Sequence, residues 1–237
     1  MNKESFTSIW ESSLDQAKSI AAERVLYSYF RSSSSYRVRI ALNLKGLSYR
    51  YVSVHLNRGG GEQFRSEFKA MNSQALVPVL SDGGVNISQS LAILEYLEEK
   101  YPHRPLLPQA AEDRAHVRQL ALSIACEIHP LTNLRVLKFI TGDMGLTEDA
   151  KTTWIKHWTE MGLSALEQQV SRSGNRGKFC FGGTPTIADC CLVPQLFNAQ
   201  RFGIDLTAYP TLVKIDAECQ KLPEFELAHP SRQPDTE

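Results

Sequence analysis

From residue 25 to about 101 the chain alternates short apolar runs with amphipathic ones. Residues 25–30, 49–55, 77–81 and 85–87 have the length and the β-branched, aromatic character of strands, while 35–45, 63–71 and 89–100 repeat their apolar positions at helical spacing. The order is βαβ followed by ββα. Asp82-Gly83-Gly84 predicts a tight hairpin between the last two strands, and Ser88-Gln89-Ser90 predicts the cap of the helix that follows. Pro78, at the start of a strand, fits either a cis bond at an ordered turn or a trans bond on an edge strand. Pro102, Pro105 and Pro108 then interrupt the pattern. Beyond them strand signals vanish and helices are expected over 112–140 with a bend before Pro130, 148–172, 187–202 with a bend at Pro194, and 210–221. Thr186 and Asp189 stand at the spacing of a capping box.

The expected organisation is therefore an α+β domain over 25–101, a linker over 102–111 and an all-α helical bundle over 112–237. Residues 1–24 form an extension in which Phe6, Ile9, Trp10, Leu14, Ala17 and Ala21 recur at helical spacing.

Composition narrows the function. The chain has 237 residues, 42% of them apolar, which is enough for sizeable cores. Its 26 basic and 26 acidic residues cancel, so no net field draws it to nucleic acid or to an anionic membrane, and charge recognition must be local. Five cysteines include an adjacent pair and show no zinc or redox spacing, so a reducing compartment and no metal are expected. The absence of a membrane-length apolar run, together with Glu4, Glu11, Asp15 and Glu23 in the extension, points to a cytoplasmic protein.

The chemistry is carried by Ser32-Ser33-Ser34-Ser35, placed where the first strand hands over to the first helix. A helix start offers unpaired N–H groups and a positive dipole end, and a serine O–H adds a charge-assisted hydrogen bond. Lowering a thiol pKa by about two units from about 8.5 takes roughly 2.7 kcal/mol. A hydrogen bond to an anion contributes about 1.5–3 kcal/mol and a helix end about 0.3–1, so the loop can hold a thiolate. The same serines would also serve as ordinary N-caps. Gln89-Ser90 can seat a carboxylate or merely cap its helix, and the backbone of Val77 can pair with an extended peptide. His129 lies at the bend before Pro130, either facing a cleft or satisfied in the core. Arg201, near the end of its helix, suits a substrate carboxylate or the helix C-terminus, and the sequence alone favours the second; Arg31 has the same two readings.

The chain resembles the zeta-class glutathione transferases over about residues 25–235. The likeness is carried by residues 27–42, which include the serine run with Tyr36 and Arg37, and by Val77-Pro78 and the segment 89–97. It continues through His129-Pro130-Leu131, Asn133-Leu134, residues 186–189, 192–195 and the tail 229–235. The resemblance implies a thioredoxin-like first domain, a helical second domain, a homodimer and glutathione as cofactor. It assigns Ser32 to the glutathione sulfur, with Ser33 and the helix start assisting. Gln63, Val77, Gln89 and Ser90 would hold the peptide, and His129 and Asn133 would reach it from the helical domain. Ser34, Ser35, Tyr36, Arg37, Leu134 and Arg135 belong to the same implied cofactor site, and Arg31 and Arg201 to a small dicarboxylate substrate.

The implied reaction is isomerisation of maleylacetoacetate: a thiolate adds to the cis double bond, the bond rotates, and the sulfur leaves. Maleylpyruvate isomerisation, conjugation or dehalogenation of α-haloacids, and a non-catalytic binding module are the alternatives. Three departures stand out. Ser34 and Tyr36 occupy positions where the family commonly has cysteine and tryptophan, and His129 one often filled by glutamine.

Overall fold

A computed structural model describes residues 24–174 and 177–237. The helical spacing between Phe6 and Ala21 lies outside them. Strand β1 (Val25–Ser28), helix α1 (Ser33–Leu44) and strand β2 (Arg50–Ser53) open the fold. Helix α2 (Ser66–Met71), strands β3 (Val79–Asp82) and β4 (Val85–Ser88), and helix α3 (Ser90–Lys100) complete the first domain. The sheet order is β2-β1-β3-β4, with β1 and β2 parallel and the other two pairs antiparallel. The parallel pair requires the crossover that α1 supplies. In the hairpin, Asp82 pairs with Val85, leaving Gly83 and Gly84 as a two-residue turn at φ 61° and 85°, a conformation glycine enters without strain.

Alternation along the strands sorts side chains to two faces. Leu26 and Leu80 join Val38 of α1 and Ile93, Leu94 and Leu97 of α3, whereas Val79 joins Tyr29, Phe30, Val54 and Phe68 on the other side. The first of these cores continues into the second half of the chain through Leu120, Leu163, Leu192 and Leu212, so the two halves share one apolar interior.

That half comprises α4 (Ala111–Leu122), α5 (Leu134–Thr141), α6 (Glu148–Arg172), α7 (Ile187–Arg201), α8 (Pro210–Cys219) and α9 (Pro223–Ala228). The single bent helix expected over 112–140 is instead broken. A π-helical turn at Ser123–Ile128 and a 3-10 turn at His129–Thr132 separate α4 from α5. Pro130 removes a backbone donor there, and Asn133 restarts the helix by accepting the Arg135 N–H at 3.1 Å. Likewise the helix expected over 63–71 begins only at Ser66, because Gln63 belongs to a separate 3-10 turn. Helix α9 was not foreseen, although Pro223 at its first position is a start signal. Strands β1 and β2 are shorter than the apolar runs that announced them, β1 ending at Ser28 because Tyr29 and Phe30 turn away into the α1 connection. Among the described residues no helix is long and apolar enough to cross a membrane.

Helix α7 is the axis of the second half, with twelve of its fifteen residues buried. The capping box forms as the spacing suggests: Asp189 accepts the Thr186 N–H at 2.8 Å, and its other oxygen accepts the Cys180 N–H at 2.8 Å.

The segment between α3 and α4 is fixed by a buried ion pair. Lys45 Nζ stands 2.7 Å from Glu98 Oε2 and also donates to the carbonyl of Tyr101 at 3.0 Å, while Glu98 accepts the N–H groups of Leu106 and Leu107. Removing one partner of such a pair strands the other charge in the interior. Glu98→Ala is expected to destabilise the protein by about 3–5 kcal/mol, read from the midpoint of urea unfolding.

Candidate active site

A turn between β1 and α1 delivers the serine run to a cleft between the two halves. Ser32 is the N-cap of α1, in extended conformation at φ −69° and ψ 115°, and its Oγ accepts the Ser35 N–H at 3.2 Å. Capping and anion binding are therefore not alternatives here. A hydroxyl that accepts from its own helix still has its hydrogen to donate, and Ser32 and Ser33 both line the cleft.

The cleft has two lobes, with about 1030 and 910 Å³ of empty space, that share Leu76, Val77, His129, Asn133 and Arg135. Around the first stand Arg31, Ser32, Ser33, Gln63, Leu134 and Arg201. Around the second stand Ser34, Arg37, Gln89, Ser90 and the exposed thiol Cys126. The Val77–Pro78 bond is cis, which decides between the two sequence alternatives, and Val77 precedes the β3 ladder, so its backbone borders both lobes. Gln89 has φ 70°, a strained value for a residue with a Cβ, of order 1–3 kcal/mol. Its Nε2 is tied to Gln74 Oε1 at 2.7 Å, and Gln89, Ser90 and Leu91 at the start of α3 line the second lobe.

Ser90 Oγ accepts from Arg37 Nη1 at 3.1 Å, and Arg37 is 2% exposed. Its Nε and Nη2 have no partner among the described residues, and the same holds for Gln63 Oε1 and His129 Nδ1. Buried polar atoms are nearly always satisfied, and these orphans come from three separate elements that line one cleft, while others, on Ser35, Tyr36, His116 and Gln195, lie away from it.

Two residues implied at this site do not reach it. Ser35 is fully buried and Tyr36 is 1% exposed, its ring packed edge-on against Phe197 and His229. Helical periodicity is the reason: these positions turn away from the cleft-facing side of α1 into the junction with α7 and the tail. Conversely, three groups that sequence reading passed over line the first lobe: Asn57, Lys138 and Asn198. Asn198 Oδ1 accepts from Arg201 Nη2 at 2.8 Å, a contact legible from their i,i+3 spacing on α7. Lys138 repeats the same spacing from Arg135, whereas nothing local announces Asn57.

The charge distribution is one-sided. Arg31, Arg37, Arg135, Lys138 and Arg201 line the lobes, and among the described residues no aspartate or glutamate does. Burial lowers the pKa of Arg201, and the neighbouring Arg31 lowers it further, so these two cations repel across the lobe. An anion between them relieves both.

The chain matches family models described as the glutathione S-transferase N-terminal domain over residues 26–105 and C-terminal domain over 159–222. It is 46% identical over 211 residues to a probable maleylacetoacetate isomerase of Vibrio cholerae, covering 89% of this chain and 97% of that protein. A holo structure of maleyl pyruvate isomerase, a bacterial zeta-class glutathione S-transferase, superposes with a TM-score of 0.87 at 45% identity, over 90% of this chain and all of that one. The maleylacetoacetate isomerase of Methylobacterium extorquens AM1, solved with malonate and glutathione bound, gives 0.86 at 41% identity, over 90% and 99% of the two chains.

His129 ties the two halves together, its Nε2 lying 3.0 Å from Ser34 Oγ. Burial, and then the Arg37 cation, push its pKa down to about 3. A histidine depressed in the native state contributes stability that is complete above its ordinary value of 6.5 and is lost as pH falls from there toward 3, because only the unfolded chain takes up the proton. His129→Gln removes this titration while retaining a polar partner for Ser34. The urea midpoint of the wild type should therefore fall more steeply than that of the variant between pH 7.5 and 4.5.

Proposed function

The chain belongs to the glutathione S-transferase family, and on that premise we propose that it is a glutathione-dependent cis-trans isomerase converting maleylacetoacetate to fumarylacetoacetate. The observation that carries this reading is the cleft lined, among the described residues, by five cations and no carboxylate, in a chain of zero net charge. A tripeptide with two carboxylates and a thiol suits the second lobe and the serine turn, and a dianionic diketo acid suits the remaining arginines. When bound, glutathione supplies a thiolate that adds reversibly to a conjugated cis double bond and leaves it free to rotate.

The chain's own residues do the rest. Ser32 donates its hydroxyl hydrogen toward the sulfur, contributing about 1.5–3 kcal/mol, and the start of α1 adds about 0.3–1, together one to three units of thiol acidity. Ser90 and the N-terminal N–H groups of α3, with the Arg37 guanidinium behind them, seat one carboxylate of the peptide. Gln63 and the backbone of Val77 hold its middle, and His129 and Asn133 close over it from the helical domain. Arg31 and Arg201 take the substrate carboxylates, the latter oriented by Asn198, and Arg135 and Lys138 add positive potential at the shared wall. Ser34, where the family commonly has cysteine, leaves the serine turn without a thiol of its own. The family resemblance also supports a homodimer in the cytoplasm, which light scattering tests as a particle of two 26.6-kDa chains.

Maleylpyruvate is the second substrate to consider, since the zeta-class neighbour at 45% identity is named for it and it presents the same charges. Assaying the two compounds side by side ranks them, and total glutathione must stay constant with both. Ser32→Ala is expected to lower turnover by about ten- to hundredfold, with the loss of about 1 kcal/mol in stability that deleting an N-cap brings. Undiminished turnover would refute the role of Ser32.

A further inference from the structure

The turn that presents Ser32 is held by partners from far along the chain. Ser32 N–H donates to the Tyr29 carbonyl at 3.0 Å, which closes the turn. Arg39, fully buried, reaches back from α1 and donates to the carbonyls of Tyr29 at 3.4 Å, Phe30 at 3.1 Å and Ala228 at 2.9 Å. From the other side, Asp235 Oδ2 accepts the Phe30 N–H at 3.2 Å and the Ser53 hydroxyl at 2.9 Å, while Oδ1 accepts the Tyr51 hydroxyl at 2.7 Å. One carboxylate thus joins the serine turn to strand β2.

The tail makes a second attachment two residues later. His55 Nδ1 accepts the N–H groups of Asn57 at 3.2 Å and Arg58 at 2.8 Å, so its hydrogen is on Nε2, which donates to Glu237 Oε1 at 2.8 Å. The loop organised in this way carries Asn57 and Gln63 into the first lobe. Both loops that face the proposed sulfur position are therefore anchored on residues 235–237.

We propose that Asp235 is a positioning residue for the reaction: by holding the Phe30 N–H, its carboxylate sets where the Ser32 hydroxyl stands relative to the bound sulfur. This rests on the function proposed above, because the placement of Ser32 matters only if the sulfur lies beside it. A donor that loses its acceptor lets the turn rotate, and displacements of about 1 Å at a reacting group can lower rates by about a hundredfold. The effect falls on thiol acidity and turnover and spares affinity for the peptide, whose carboxylate seat on α3 lies away from the tail.

Asp235→Ala and Asp235→Asn separate this role from a structural one, because the asparagine still offers an oxygen to Phe30 while the alanine does not. The readouts are the pKa of the bound glutathione thiol, from its ultraviolet thiolate absorbance, and kcat and KM. Asp235→Ala is expected to raise the bound thiol pKa by about one unit and to lower kcat about tenfold, with KM for glutathione within about threefold of wild type. Asp235→Asn should stay within about twofold of wild type in kcat. Wild-type thiol pKa and kcat in the alanine variant, or equal impairment in both variants, would overturn the proposal. Should Asp235→Ala fail to fold, Tyr51→Phe removes the shortest bond fixing the carboxylate; a raised thiol pKa supports the proposal and an unchanged one overturns it. Ser32→Ala serves as the reference. If it leaves the bound thiol pKa at the wild-type value, the function proposed for the serine turn falls and this role with it, whereas a shift in Ser32→Ala without one in Asp235→Ala removes only the role of Asp235.

Discussion

Helix α1 is enclosed on nearly every side, with nine of its twelve residues buried, and it carries two arginines into the interior. Withdrawing a guanidinium from water costs several kcal/mol unless hydrogen bonds replace its hydration, and neither arginine has a carboxylate at ion-pair distance among the described residues. Arg39 meets the requirement with three backbone carbonyls, two of which belong to the turn that presents Ser32. Arg37 meets it only in part, through Ser90, and its Nε and Nη2 have no partner among the described residues. Two residues apart on one helix, they differ in what they meet: one bonds the carbonyls of the serine turn, the other places a guanidinium beside Ser90 at the second lobe. The site depends on both being buried.

The acidic residues explain why a neutral chain can have a wholly cationic cleft. Those buried are used as acceptors for structural donors elsewhere. Glu98 neutralises Lys45 and caps the segment between the domains, and Asp189 closes the capping box of α7. Asp82 receives the hydroxyls of Tyr96 and Tyr101 with Lys100 beside it, and these donors hold its pKa below the usual carboxylate range despite burial. None of these carboxylates lines either lobe, where the charged side chains among the described residues are arginine and lysine. Net charge, the quantity most easily read from a sequence, is blind to this segregation.

Much of the fold was legible because its signals are local. The βαβ-ββα order follows from periodicity and the Gly83-Gly84 turn, and Ser32, Ser90 and Thr186 announce helix starts through capping chemistry. What escaped is set by tertiary contact. The π-helical turn at Ser123–Ile128 has no composition signal, and Ser35 and Tyr36 look like continuations of a binding motif until the turn of α1 carries them into the core. Asn57 reaches the cleft only because His55, bonded to Glu237, shapes its loop. Pairings across about 180 residues cannot be read from spacing.

The departures from the family pattern are more informative in space than in sequence. Ser34, in place of the common cysteine, and His129, in place of the frequent glutamine, lie 95 residues apart and are bonded to each other at 3.0 Å. A hydroxyl is a stronger hydrogen-bonding group than a thiol, and a neutral imidazole offers it a fixed partner that can donate or accept. The pair spans the join between the domains at the point where the two lobes meet. Taken singly, losing the cysteine looks like the loss of a nucleophile and gaining a histidine looks like a new base. Together they form a polar tie, and the depressed pKa of His129 keeps its ring uncharged beside Arg37 at neutral pH. The side chain at position 34 is thus not a thiol but one end of a hydrogen bond that joins the two halves across the cleft.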